Sequence, residues 1–118
     1  MNTFRFINFP VYQSAKTLYK KILVLTEEIK NYSFKDQIQR ASLSVVLNIA
    51  EGSAKKSDKD FARFIQTSLG SISEVVACLD ILREVKSTKS KNCDVLISEY
   101  EEVAKQLGGF IKKLHSDG

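Results

Sequence analysis

Apolar residues recur every three or four positions along four stretches of the chain, which is the spacing of one face of an α-helix. The first stretch opens at Pro10, a favourable first-turn residue because its missing N–H costs nothing there. Its apolar positions follow a 4-3-4-3-4 series: Val11, Ala15, Leu18, Ile22, Leu25 and Ile29. Asn31, Tyr32 and Ser33 interrupt the pattern, and a second helix is predicted from about Phe34 to Ala54, with Gly52 as its C-terminal cap.

The third stretch begins with a capping signal, Ser57 followed by Asp60, which offers a side-chain acceptor and an anion to the helix N-terminus. Its core stripe is predicted as Phe61, Ile65, Ser68, Ile72, Val75, Leu79 and Leu82, widened by Phe64, Leu69 and Val76. The polar run from Lys86 to Asn92 predicts a long loop. Beyond it, a fourth stripe comprises Leu96, Tyr100, Val103, Leu107, Phe110 and Leu114.

These patterns predict an all-α protein, an antiparallel up-down four-helix bundle forming one domain over residues 1–118. Helices of about 20 to 28 residues would each be roughly 30 to 40 Å long. A spacing that averages about 3.5 residues favours shallow, coiled-coil-like crossing angles.

The second helix differs from the others because it carries two apolar strips. Ile38, Ala41, Val45 and Ile49 form one strip, and Leu43, Val46, Leu47 and Ala50 form another on a different side. A bundle helix that is apolar nearly all round is normally covered on more than one side. We expect the second strip to contact another copy of the chain. The alternative is that the N-terminal segment from Phe4 to Phe9 folds back over it.

The composition excludes several classes of protein but does not identify a function. The chain has 118 residues, a net charge of +4, one histidine and two cysteines. No apolar run approaches the roughly 18 to 20 residues of a membrane span, and the N-terminus does not resemble a signal peptide, so the expectation is a cytoplasmic protein without a membrane partner. Phosphate-binding glycine loops, metal-ligand spacings and nucleophile–histidine pairs are absent, so we expect no enzyme activity, metal or cofactor.

One ordered set of motifs carries more information. It comprises Gln37-Ile38-Gln39-Arg40-Ala41, Ser44, Asn48-Ile49-Ala50-Glu51-Gly52, Ser57, Phe64-Ile65, Gly70-Ser71 and Glu74. This set resembles the four-helix-bundle family named after proteins encoded in 23S ribosomal RNA intervening sequences. The sequence departs from the family pattern at Val46, where proline is common, and at Ser68-Leu69 before Gly70.

The resemblance implies an antiparallel four-helix bundle and a ring-like homopentamer. A related group, the accessory proteins of diversity-generating retroelements, is implicated in binding nucleic acid and a reverse transcriptase. By analogy, RNA or DNA is the leading partner of this chain, and a protein partner such as a reverse transcriptase is a further expectation.

The polar motif residues allow two interpretations. Asn48 is expected to be partly buried with Ser44 as its partner, and Glu51 to pair with Lys55 or with Arg40 of a neighbouring copy. In the first interpretation these residues fix helix register and subunit orientation; in the second, Arg40, Asn48 and Glu51 line a pore or ligand groove. Gly70, on the outward side of the third helix, allows close approach of another backbone or is merely tolerated.

The positive charge is concentrated in the first half of the chain. Residues 1–60 hold 10 Lys and Arg against 6 Asp and Glu, whereas residues 61–118 hold 8 of each. The candidate nucleic-acid-binding residues are Lys16, Lys20, Lys21, Lys55, Lys56, Lys59 and Arg63, and the loop lysines Lys86, Lys89 and Lys91 form a third cluster. Since no exposed aromatic residues are interleaved with them, any binding is expected to be directed at the nucleic-acid backbone.

Two functions stay open: an oligomeric nucleic-acid-binding accessory protein, and an oligomeric protein-interaction scaffold without nucleic-acid affinity.

Overall fold

Four helices form the molecule, and the computed structural model describes residues 3–117. They are α1 (Pro10–Leu25), α2 (Tyr32–Ser53), α3 (Asp58–Val85) and α4 (Ser90–Asp117), with short 3-10 turns at Arg5–Asn8 and Ser87–Lys89. The principal extents are 45 × 23 × 21 Å. The described part of the chain contains no strand, so the all-α prediction is confirmed.

Each helix packs on two neighbours, in the cyclic order α1, α2, α3, α4 and back to α1. Short connections hold the helix ends together: Thr26, just after α1, accepts a hydrogen bond at 3.0 Å from Gln39 near the start of α2. At the opposite end, the rings of Phe9, Phe61 and Phe110 cluster. Consecutive helices therefore run in opposite directions.

The predicted stripes form one apolar core between the four helices. Every position of the third stripe is buried, whereas Ile29 and Phe110 are half-buried. Burial of these side chains is the main stabilising contribution, since each large aliphatic side chain contributes about 1.5 to 3 kcal/mol when fully removed from water.

Two helix ends differ from the prediction. The first helix stops at Leu25, because the buried Thr26 hydroxyl donates to the Ile22 carbonyl at 2.7 Å and closes the last turn. The predicted loop is shorter than expected, since α4 already begins at Ser90. The Ser57 cap is confirmed, with its hydroxyl accepting from the Asp60 N–H at 3.1 Å.

The apolar character of α3 serves the core. An 18-residue window of this helix reaches a mean hydropathy of 1.3, enough by length and composition for a membrane span, and 39% of it is buried inside the bundle. Its apolar side packs between α2 and α4, as expected of a core helix.

Candidate nucleic-acid interface

The polar motif residues form a hydrogen-bonded seam between α2 and α3. The Asn48 amide donates to the Ser44 carbonyl at 2.9 Å and to the Ser44 hydroxyl at 3.0 Å. That hydroxyl is 2.8 Å from the Ser71 hydroxyl of α3. Asn48 is half-buried with Ser44 as its partner, as predicted. The seam therefore links the two helices through side chains that cannot bond equally well in another register.

Two further bonds extend this seam in both directions. The buried Ser68 hydroxyl donates to the Val45 carbonyl at 2.9 Å. The Gln37 amide donates to the Glu74 carboxylate. The motif serines, the glutamine and the glutamate thus contact one another across α2 and α3, which supports the interpretation in which they set helix register.

Gly52 permits the close approach of α3, and its prediction as a helix cap was wrong. It lies within α2 and has a negative φ, so no left-handed cap forms there. A Cβ at this position would lie 2.8 Å from Phe64 Cβ and 2.9 Å from Phe61 Cδ1. Only glycine leaves room for these two aromatic residues beside α2.

The second apolar strip of α2 is divided in the structure. Val46 was predicted on the outer face, but it is 5% exposed and belongs to the chain's own core. The buried arc of α2 is wide because the helix packs on α1 as well as α3. Leu43 is half-buried and Leu47 is 46% exposed, so only part of the strip is available to a partner.

The N-terminal segment leaves this outer face open. Its Arg5 guanidinium donates to the Ser53 carbonyl at the end of α2, and the Phe6 ring packs against Tyr12 with centroids 4.9 Å apart. The segment therefore covers the end of the bundle while Leu47 stays exposed.

Arg40, Glu51 and Gly70 all lie on the outer surface. Within residues 3–117, neither the Arg40 nor the Glu51 side chain forms a hydrogen bond or ion pair, so the expected Glu51–Lys55 pair is absent there. The Lys55 side chain instead turns to an aromatic ring. A Cβ on Gly70 would meet nothing within 4 Å, so the outward position of this glycine is as predicted.

The α2–α3 turn brings basic side chains together around an aromatic ring. The Lys55 ammonium lies 4.8 Å from the centroid of the Phe64 ring, and the Arg63 guanidinium lies 5.8 Å from it. Lys56 and Lys59 are exposed beside them. Phe64 was predicted at the edge of the core stripe, and no exposed aromatic residue was expected among the basic side chains; its half-buried ring beside Lys55 and Arg63 corrects that expectation.

A shallow groove continues this basic surface across α3 toward α4. Its volume is about 360 Å³, and it is lined by Lys59, Asp60, Ala62, Arg63, Gln66, Ile111 and His115. Arg63 contributes to both the ring contact and the groove, while Asp60 pairs with it at 3.2 Å. We call the surface formed by Lys55, Lys56, Lys59, Arg63 and Phe64 the basic strip.

The other predicted lysine clusters are less concentrated. Lys21 pairs with Glu99 of α4 at 3.0 Å, and Lys16 lies over the Tyr12 ring, whereas Lys20 is exposed. In the third cluster, Lys89 lies 4.0 Å from a Glu28 carboxylate oxygen. In the described chain each cluster thus has one cation paired with a carboxylate, but the basic strip keeps three lysines without such a partner against two in each of the others, which makes it the better anion-binding candidate.

The titratable core groups offer no reactive centre. Burial raises the pKa of the Cys78 and Cys93 thiols, so both stay protonated near neutral pH. Burial also raises the pKa of Tyr100 well above the usual range, and its hydroxyl has no hydrogen-bond partner in the described chain. Among the described residues, no group of three or more His, Cys, Asp or Glu could hold a metal ion.

These features define a class of protein: a four-helix bundle in which a polar seam joins α2 and α3, with a basic turn at one end. The family described as 23S rRNA-intervening sequence protein matches residues 8–109, and the chain belongs to this family. The resemblance stated from the motifs is confirmed.

A solved structure shares this fold. It is the crystal structure of a protein with unknown function from the S23 ribosomal protein family from Bacteroides thetaiotaomicron VPI-5482. The two chains superpose with a TM-score of 0.80 at 23% sequence identity, over 86% of this chain and 98% of that chain. A search of curated proteins finds no match to this sequence.

Proposed function

We propose that this protein is a homo-oligomeric, non-enzymatic accessory factor that binds nucleic acid through the basic strip. The observation that carries the proposal is the convergence of Lys55, Lys56, Lys59 and Arg63 on one turn. Family membership supports it only as a context, since the solved relative is itself described as a protein with unknown function.

The charges of the strip suit contacts with phosphates. Its lysines are exposed, and in the described chain none of them has a carboxylate within ion-pair distance. Lysine and arginine contacts to phosphates release counterions, so affinity falls steeply with salt and depends little on sequence. Several copies in one oligomer would strengthen a weak patch through avidity.

Binding of a fluorescent oligonucleotide at two salt concentrations tests this proposal. The double variant Lys55→Glu/Lys56→Glu should weaken binding about tenfold or more at about 50 mM salt, and wild-type binding should fall sharply by about 200 mM. The matched control is Lys30→Glu/Lys105→Glu, which makes the same charge change at exposed positions elsewhere. Equal losses in the two double variants would contradict a localised site, and a wild type that binds no oligonucleotide would favour the protein-interaction scaffold.

The outer face of α2 supports the oligomeric part of the proposal. Leu43 and Leu47 provide apolar contact area, Arg40 and Glu51 carry opposite charges without side-chain partners in the described chain, and a Cβ at Gly70 of α3 would meet nothing within 4 Å. A neighbouring copy could cover the leucines and pair the two charges. A homopentamer is the form expected from the resemblance.

Sedimentation measurements test the assembly directly. Wild type should sediment as a multiple of the 13.3 kDa chain, and Leu47→Glu should shift it toward the monomer because a carboxylate would be buried unpaired. Val24→Glu is the matched control, since Val24 is 72% exposed on α1. A monomeric wild type at tens of micromolar would refute this part of the proposal.

A further inference from the structure

We propose that the basic strip selects single-stranded over duplex nucleic acid by stacking one base on the Phe64 ring. The inference rests on the proposed nucleic-acid binding and adds a ligand class to it. Its basis is the position of an aromatic ring inside the charge cluster, where a purely electrostatic surface needs none.

The Phe64 side chain is anchored by packing against α2, and its ring is covered by the Lys55 ammonium, which a ligand can replace. Its Cβ packs against α2 at Gly52, which fixes the side chain at the start of α3. The Lys55 ammonium lies 4.8 Å from the ring centroid, on a side chain just beyond the end of α2. A base can displace this ammonium, because a cation on a partly exposed ring is held more weakly than a stacked base. The displaced ammonium then lies beside the phosphate of the same nucleotide.

Arg63 and the adjoining groove provide the continuation of the strand path. Arg63 reaches the ring on one side and lines the groove with Lys59, Gln66 and His115 on the other. Asp58 and Asp60 lie in the first turn of α3, and Asp60 holds Arg63 at 3.2 Å. Because Asp60 also lines the groove, its carboxylate repels phosphates there, and the phosphate contacts of the strand are assigned to Lys55 and Lys59.

Duplex nucleic acid can use only part of this surface. Its bases are already stacked on one another, so the ring gains nothing unless a base is extruded. A single strand offers unstacked bases together with phosphates. Both RNA and DNA strands present this chemistry, and the experiment separates them by using each.

Fluorescence anisotropy with labelled oligo-dT, oligo-rU and a duplex of equal length, each of about 20 nucleotides, tests the inference. Wild type should bind the single strands more tightly than the duplex at the same salt. Phe64→Leu, which keeps the Cβ contact and removes the ring, should weaken single-strand binding about 5- to 50-fold and change duplex binding less than about twofold. Phe64→Tyr keeps the ring and should bind like wild type.

Four results would overturn the inference, and they separate it from the proposed function. If Phe64→Leu binds single strands like wild type, or loses strand and duplex affinity equally, no base stacks on the ring, while the loss in Lys55→Glu/Lys56→Glu still supports charge-driven binding. If Phe64→Tyr loses as much affinity as Phe64→Leu, packing rather than aromaticity is responsible. If wild type binds none of the three oligonucleotides, the proposed function itself fails. Thermal unfolding of both Phe64 variants shows that each is folded.

Discussion

The seams between α2 and α3 and between α1 and α4 are built differently, although both join antiparallel neighbours of one bundle. The α2–α3 seam contains Ser44, Asn48 and Ser71 in one hydrogen-bonded chain, and Gly52 lets the helices approach closely. The α1–α4 seam has a surface ion pair, Lys21 with Glu99, beside a groove of about 480 Å³.

The contrast between the two seams indicates what the family motifs specify. Apolar burial holds both pairs of helices together, but it tolerates sliding, whereas paired polar groups and a glycine contact allow one register. The motif residues therefore concentrate on the α2–α3 side, where register determines how the turn residues Lys55 and Phe64 are placed. On the α1–α4 side, Val24 and Val95 stay exposed, so that seam is less completely packed.

Gly52→Ala should have the largest effect. Its new Cβ would lie under 3 Å from both Phe64 Cβ and a Phe61 ring atom, so α3 must move away. Overpacking of this kind typically costs about 1 to 3 kcal/mol in the free energy of unfolding, measured by chemical denaturation. Gly108→Ala is the matched control, because its Cβ meets nothing within 4 Å and alanine favours helix by about 1 kcal/mol. Destabilisation of the two variants by equal amounts would disprove the close-contact role of Gly52.

Ser68→Ala should break the seam more mildly. The variant loses the buried hydroxyl that bonds the Val45 carbonyl, and we expect a loss of about 1 kcal/mol in the free energy of unfolding. The control is Ser73→Ala, because the Ser73 hydroxyl is exposed and reaches only its own helix at 3.5 Å. If denaturation midpoints of the two variants coincide, the interhelical bond contributes nothing measurable.

Tyr100→Phe removes a buried hydroxyl on α4, outside the α2–α3 seam. The hydroxyl removed is buried without a partner in the described chain, so stability should be unchanged or rise by up to about 1 kcal/mol. Because the pKa of Tyr100 is raised in the folded state, the unfolded chain releases this proton first, and wild-type stability should fall as pH rises past about 10. The variant should lack that part of the alkaline loss. Marked destabilisation of Tyr100→Phe at neutral pH would show that the hydroxyl does have a partner.

The Lys21–Glu99 pair should contribute least. Both side chains are substantially exposed, at 49% and 37%, so solvent screens the attraction. A double-mutant cycle with Lys21→Ala and Glu99→Ala should give a coupling below about 0.5 kcal/mol that vanishes in high salt. A coupling as large as the Ser68 effect would remove the distinction between the two seams.

Much of the fold was predictable because helical periodicity and capping are local. The stripes of α3 and α4 and the Ser57 cap depend only on residues a few positions apart. Apart from the two helix ends, the errors fall where two helices meet. Gly52 was misassigned because the close approach of α3 is not visible in the sequence of α2 alone. Val46 was misassigned because the width of the buried arc of a helix depends on its neighbours, and a helical wheel does not show the neighbours.

The candidate site was predictable in its charges but not in its aromatic member. Lysines at 55, 56 and 59 lie within five positions of one another, so a turn brings them together whatever the packing. Phe64 lies on the edge of the core stripe, and its half-exposure beneath Lys55 follows from the contact at Gly52. The sequence signal that could have revealed this role of Phe64 is a glycine near the end of one helix, followed across a short turn by an aromatic residue at the start of the next.

We expect the motif residues to hold the bundle in register and the basic strip to bind nucleic acid. The most direct test measures strand affinity for Asn48→Ala and Lys55→Glu/Lys56→Glu together, with the free energy of unfolding of each. Asn48→Ala should lose about 1 kcal/mol of stability and bind like wild type, whereas the double reversal should bind weakly and unfold within about 0.5 kcal/mol of wild type. A folded Asn48→Ala variant that binds strands as poorly as the double reversal would contradict the account and assign the motif to the ligand site.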